Sequence, residues 1–145
     1  TLASYTGNFK ILDCPNFNFG TKGRNSERYG YLLGYNYLGN ADQTGWNKNA
    51  TNYWYSPRKL SESGTNFILA DANHWGGGIV MAPHGKTGPC NRGGVTWIEP
   101  SDDTAIKIGA AGGNVGRMDG SVQWRSVKQM MTRQASSYVL YWGLW

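Results

Sequence analysis

The chain is poor in the residues from which active sites and metal centres are usually built. Its 145 residues include two cysteines, two histidines and nine acidic side chains. Two cysteines cannot complete a structural zinc site, and His74 and His84 lack the spacing of a metal-binding pair. No metal or cofactor is expected. No run is long and apolar enough to span a membrane, and no basic-then-apolar leader opens the residues given. Charged residues make up only 16% of the chain, and its 14 Lys and Arg, though they leave a net charge of +5, are scattered. Ten of them fall at Lys22, Arg24 and Arg28, at Lys48, Arg58 and Lys59, and at Arg117, Arg125, Lys128 and Arg133. Without a polybasic stripe, the basic balance favours solubility and gives no reason to expect nucleic acid.

Aromatics and glycine are plentiful. Seven Trp and nine Tyr carry far more apolar area than a disordered polypeptide holds, and 21 glycines mark a loop-rich chain. The length suits a single domain over residues 1–145. Cys14 in D-C-P and Cys90 in G-P-C each stand beside a proline in a turn-like setting, so a Cys14–Cys90 disulfide is expected. It would be worth roughly 4 kcal/mol in the chain-entropy model and would imply an oxidising compartment. The alternative is two buried thiols.

Strand signals outnumber helical ones. R-Y-G-Y-L-L-G-Y-N-Y-L, 28–38, sets Tyr29, Tyr31, Tyr35 and Tyr37 on one face of an extended segment. Residues 39–52 read as a polar loop, and Ser56-Pro57 opens a turn or short helical piece ending at Gly64. T-N-F-I-L-A-D then reads as a buried strand broken at H-W-G-G-G, 74–78; residues 82–94 read as a long loop and G-V-T-W-I-E, 94–99, as a strand. V-K-Q-M-M-T-R-Q, 127–134, is the helical candidate, and the aromatic tail Y-V-L-Y-W-G-L-W is expected to lie against the sheet.

G-G-N-V-G-R-M-D-G-S-V-Q-W, 112–124, is the densest motif. It lacks the spacing of a dinucleotide fingerprint, and G-K-T at 85–87 lacks the glycine a phosphate loop needs five residues before it. A hairpin fits better. Asp119-Gly120 supplies a type I′ turn, which pairs Met118 with Ser121 and sets Val115 opposite Trp124, with Val115, Arg117, Val122 and Trp124 on one face.

The order C-P, Y-G-Y-x-x-G-Y-N, S-P-x-K-L, I-L-A-D and N-V-x-x-x-D-G-S-V-x-W resembles the soluble domain of prepilin-type proteins of the family named for a histidine, nine residues and Asp-Gly. The likeness spans most of residues 10–127. The naming histidine falls at Gly109, so no role of that imidazole carries over. The family's cleavage site and long apolar helix do not occur within these residues. The resemblance implies an α+β, pilin-like head with a mainly antiparallel sheet and long loops. It also implies an extracytoplasmic, non-catalytic role as a pseudopilin or minor pilin of a secretion system or type IV pilus. Its partners would be other pilin-like subunits, met through the helix, which would also be the membrane attachment. A head without that helix is expected to be soluble and mostly monomeric, with an apolar groove lined partly by the carboxy-terminal aromatics.

Three constellations compete with a structural role. Asp71 could pair with His74 or Asp119 for acid/base work, but neither pairing comes with a nucleophile or orienting partner. Asp102 and Asp103 are calcium candidates, as in the carboxy-terminal loop of type II secretion pseudopilins, yet two adjacent carboxylates fall far short of six to eight oxygens. Trp46, Tyr53, Trp54, Tyr55 and Trp75, in or beside Asn-rich loops, could form the platform of an extracellular polysaccharide-binding module; otherwise they roof the sheet as core.

Overall fold

The computed structural model describes residues 14–16, 25–26, 30–31, 34–76, 78–93, 107–135 and 141–145. A two-stranded ribbon pairs β1 (Asn25–Ser26) with β2 (Gly30–Tyr31). The remaining strands are β3 (Tyr35–Tyr37), β4 (Phe67–Asp71), β5 (His74–Gly76), β6 (Ile79–Ala82), β7 (Cys90–Gly93), β8 (Gly112–Arg117), β9 (Val122–Ser126), β10 (Thr132–Gln134) and β11 (Tyr141–Leu144). They form two antiparallel sheets, one of four strands in the order β3-β4-β8-β9 and one of five in the order β10-β11-β5-β6-β7.

The expected α+β, pilin-like class is therefore corrected. Helix among the described residues is confined to a turn at Lys107–Ile108 and a 3-10 turn, Val127–Gln129. The helical pattern at 127–134 fails because other partners claim its backbone. Ser126 N donates to Gln129 Oε1 at 2.9 Å, which caps a single turn. Met130 is extended, Met131 N reaches the Trp145 carbonyl at 3.0 Å, and Thr132–Gln134 join β11. A ladder to a buried neighbour outweighs a helical spacing of three apolar side chains.

Other local expectations divide in the same way. The run read as a buried strand contains β4, and the described end of the aromatic tail forms strand β11. H-W-G forms a strand, β5, and the loop expected over 82–94 ends in β7, which pairs with β6 from Ile79↔Gly93 to Ala82↔Cys90. The strand expected at 94–99 lies outside the described residues, as do the side chains of Tyr29 and Tyr31.

The core has two main parts. Trp75, Val80, Ala82, Ile108, Ala110, Trp142 and Leu144 pack on the five-stranded sheet. Leu38, Trp46, Trp54, Ala70, Val115 and Trp145 pack on one face of the four-stranded sheet. Trp145 follows directly on β11, yet its ring meets Trp54 edge-on at 5.2 Å and 88°, so the carboxy-terminal segment stitches the two parts together. Trp142, Leu144 and Trp145 are all buried, so the segment is mainly core, and Trp145 also reaches the wall of the cleft described below. Gly113 allows close approach where the strands meet, since a Cβ there would lie 2.8 Å from Asn73 Nδ2 and 3.1 Å from Asp71 Cβ.

The disulfide expectation is corrected too. Cys14 and Cys90 are both thiols. Cys14 is buried with Met81 and Tyr35, whereas Cys90 packs at the edge of the cluster around Trp75, so the two side chains belong to different parts of the core.

Candidate functional site

The hairpin at Asp119-Gly120 is present, with a different turn from the one its sequence predicts. Gly120 takes φ 84°, but among described residues Asn40 is the only non-glycine with positive φ, so Asp119 does not adopt the left-handed form a type I′ turn requires. Gly120 N donates to the Arg117 carbonyl at 3.1 Å and Arg117 N to the Ser121 carbonyl at 2.9 Å. This is a three-residue connection closed by a left-handed glycine. The register moves by one, to Gly116↔Val122, Val115↔Gln123 and Asn114↔Trp124. A shift of one residue exchanges faces. Val115 points into the core, and Val122 and Trp124 point away from it. Arg117 lies over Phe67, its guanidinium carbon 5.6 Å from the ring centroid, and not over Trp124.

The tip docks on the preceding loop through Met118 N to the Asn66 carbonyl at 3.0 Å and Asp119 N to the Gly64 carbonyl at 3.1 Å. The Asp119 carboxylate accepts Ser121 N at 2.8 Å, and these Ser121 hydrogen bonds hold its pKa below the usual carboxylate range. Asp119 is thus committed to the turn and is not half of a carboxylate pair with Asp71.

Asp71 takes a partner that sequence spacing did not single out. Its Oδ2 lies 3.0 Å from His84 Nε2 and accepts Asn114 N at 2.6 Å and Asn114 Nδ2 at 3.1 Å. The other ring nitrogen of His84 is 3.0 Å from Asn16 Nδ2, and Trp124 meets the ring edge-on at 5.3 Å. Both imidazole nitrogens are engaged, which makes this group a clamp between the strands and the 83–88 turn. An acid/base centre needs a lone pair facing a substrate. The expected partner, His74, instead packs edge-on against Tyr141 at 6.3 Å, and burial pushes its pKa down to about 4. Gly109, at the family's histidine position, takes φ 77°, and its carbonyl accepts Lys86 N at 2.9 Å. Asp102 and Asp103 lie outside the described residues. Among the described residues no group of three or more His, Cys, Asp or Glu side chains could hold a metal ion.

Three of the five proposed platform aromatics are core. Trp46 and Trp54 are buried and meet edge-on at 6.0 Å, and Trp75 has no exposed surface. Tyr55 remains 55% exposed, with its hydroxyl donating to Glu62 Oε2 at 2.7 Å. It lines a cleft of about 370 Å³ with Tyr53, Trp54, Phe67, Arg133 and Trp145 at the junction of the two sheets. Sequence reading missed Phe67 and Arg133 here. The available signal was the even spacing of Arg117, Arg125 and Arg133, which looks like scatter until the strands are paired.

The outer face of the four-stranded sheet carries a second feature. Tyr37, Leu69, Gly116 and Val122 form one cross-strand row, in which Tyr37 is 60%, Leu69 41% and Val122 70% exposed. Trp124, 48% exposed, stands in the next row above the Asp71–His84 clamp. Comparison with family models, curated proteins and solved structures finds no match to this chain.

Proposed function

We propose that this chain is a non-catalytic structural subunit of an extracytoplasmic filament or secretion system, a pseudopilin or minor pilin in role, whose outer sheet face meets a neighbouring subunit. The supporting observation is where the quoted motifs fall. Ser56, the I-L-A-D strand, Asn114-Val115 and Asp119-Gly120-Ser121-Val122 belong to the four-stranded sheet or the loop braced on it, and their polar groups serve the backbone. Ser56 Oγ accepts Ala41 N at 2.8 Å and donates to the Leu38 carbonyl at 2.7 Å. Asp71 accepts Asn114 N, and Asp119 accepts Ser121 N. Residues used this way set a shape. The shape leaves the apolar row Tyr37-Leu69-Val122 on an exposed face, as a packing surface between subunits requires.

Among the described residues a 3-10 turn and strand β10 replace the helix expected at 127–134, and the role does not depend on it. The thiols remove the disulfide as an argument for an oxidising compartment, so the extracytoplasmic setting rests on the resemblance. The test is made in the producing cell, by immunogold labelling of surface filaments. Wild-type protein should appear in filaments, and the pair Leu69→Glu and Val122→Glu should leave the domain folded but absent from them. Dispersed, unassembled wild-type protein, or filaments unaffected by the double replacement, would end the structural-subunit reading.

A further inference from the structure

Arg133 in the wall of the cleft, and Arg117 and Arg125 beside it on Phe67, carry positive charge that no described residue neutralises. The guanidinium carbons of Arg117 and Arg125 lie 5.6 and 5.4 Å from the Phe67 ring centroid, and Phe67 shares the cleft wall with Arg133. Among the described residues none of these arginines is in an ion pair; the one salt bridge described there joins His84 to Asp71. Their hydrogen bonds also leave donors unused. Arg133 donates from Nη1 to the Tyr53 carbonyl at 2.7 Å and from Nη2 to Met131 Sδ at 3.2 Å, Arg125 Nη2 donates to the Gln129 carbonyl at 2.6 Å, and Arg117 Nη2 to Gln123 Oε1 at 3.4 Å. The Nε groups of Arg133 and Arg117 are buried with no acceptor. Repulsion between like charges costs stability, and an anion placed beside them relieves it.

The walls indicate what carries that anion. Tyr53, Tyr55 and Phe67 offer ring surface, and Thr65 and Asn66 offer neutral hydrogen-bonding groups beside it. Apolar faces bordered by hydroxyl and amide groups suit a sugar ring, which has C–H faces and an equatorial belt of hydroxyls. A guanidinium fork suits a planar carboxylate. The volume of about 370 Å³ is within the range of small-ligand sites. Glu62 accepts the Tyr55 hydroxyl and the amides of Arg58 and Lys59, and among the described residues it makes no ion pair with these arginines.

We propose that this cleft binds a carboxylated saccharide, a uronate unit of an acidic polysaccharide, with the sugar ring against Tyr55 and Phe67 and the carboxylate on Arg133 and Arg125. The site goes beyond the structural role, since assembly through the outer sheet face neither requires nor excludes a ligand at the sheet junction.

Trp54 and Trp145 line the cleft, so tryptophan fluorescence reports occupancy. The probes are hexagalacturonate, its fully methyl-esterified form and inorganic phosphate, each titrated at low salt. Hexagalacturonate should give a saturable change that weakens as salt rises. Its methyl ester, which keeps the sugar and loses the charge, should bind at least about tenfold more weakly. Arg133→Met should cost about tenfold in affinity, and Arg125→Gln, which gives up a guanidinium whose hydrogen bond to the Gln129 carbonyl is solvent-exposed, about threefold. No saturable change with hexagalacturonate, equal binding of the ester, or unchanged affinity in Arg125→Gln overturns the proposal. An equal response to phosphate also overturns it, and reassigns the cleft to small anions.

Discussion

The two sheets use the same antiparallel pairing for opposite ends. The five-stranded sheet hides most of its large side chains: Trp75 and Val80 are fully buried and Trp142 nearly so, although Ile79 stays 40% exposed. The four-stranded sheet buries Ala70 and Val115 on one face and leaves Tyr37, Leu69, Val122 and Trp124 on the other. Every motif that carries the resemblance, apart from C-P near the start and the tyrosine-rich segment that runs into β3, lies on the second sheet or on the loop beneath its hairpin. The first sheet supplies a foundation with no recognisable sequence signature, because buried apolar alternation is common to many folds. The second supplies a surface, and surfaces need particular turns and particular registers.

The sharpest way to break this contrast is to remove the centre of the foundation. Trp75→Ala should cost about 3–5 kcal/mol, enough to unfold a marginal domain, and a urea titration measures it. A loss below about 1 kcal/mol would mean that the five-stranded sheet is not where stability resides.

The next largest effect is a pH dependence confined to that same sheet. Burial lowers His74 to about 4 from an unfolded value of 6.5. The unfolded chain therefore binds the extra proton between those values, so the native state is at full stability above pH 6.5 and loses stability as pH falls toward 4. The span amounts to about 3 kcal/mol. Denaturation curves at pH 7 and pH 4 should show it, and His74→Asn should flatten it.

On the second sheet the effects should be smaller. Gly120 has φ 84° and nothing within 4 Å of a built Cβ, so Gly120→Val meets no clash and is opposed by conformation alone. It should cost about 1–3 kcal/mol in thermal melts, and Gly120→Asn clearly less. Smallest of all, Val122→Glu on the outer face should change stability by no more than about 0.5 kcal/mol. A large loss there would show that the face is covered, and the distinction between foundation and surface would collapse.

Sequence made parts of this legible and hid others for identifiable reasons. Phe67–Asp71 and the aromatic tail were readable as strands because apolar density and turn signals agreed. Asp119-Gly120 was readable as a turn, but its type depends on whether Asp119 accepts positive φ, a choice settled by the docking of Met118 and Asp119 amides on the Asn66 and Gly64 carbonyls. That single choice moved Trp124 and Val122 to the open face. The helical spacing at Val127, Met130 and Met131 lost to the ladder with β11, a partner remote in sequence. At the candidate sites, composition alone could not separate Trp46, Trp54 and Trp75, which are core, from Tyr55, which is exposed. Nor could it bring Arg117 and Arg125 to Phe67, which needs the pairing of β4, β8 and β9, or place Arg133 of the other sheet beside the same ring.

The strand order has a further consequence, in time. Leu69 pairs with Gly116 and Trp75 with Trp142, so each sheet takes strands from the middle of the chain and completes them with strands that follow residue 110. Partners so distant close slowly, and topologies of this kind fold in milliseconds to seconds where helical bundles need microseconds to milliseconds. During synthesis β4, β5 and β6 leave the ribosome before β8 and β11 exist. Until those arrive, the growing polypeptide displays open strand edges beside exposed tryptophan, the combination that recruits neighbouring chains. The vulnerable stage in the life of this protein is therefore its birth, and its yield should respond to translation speed and chaperone supply more than the stability of the finished domain would suggest.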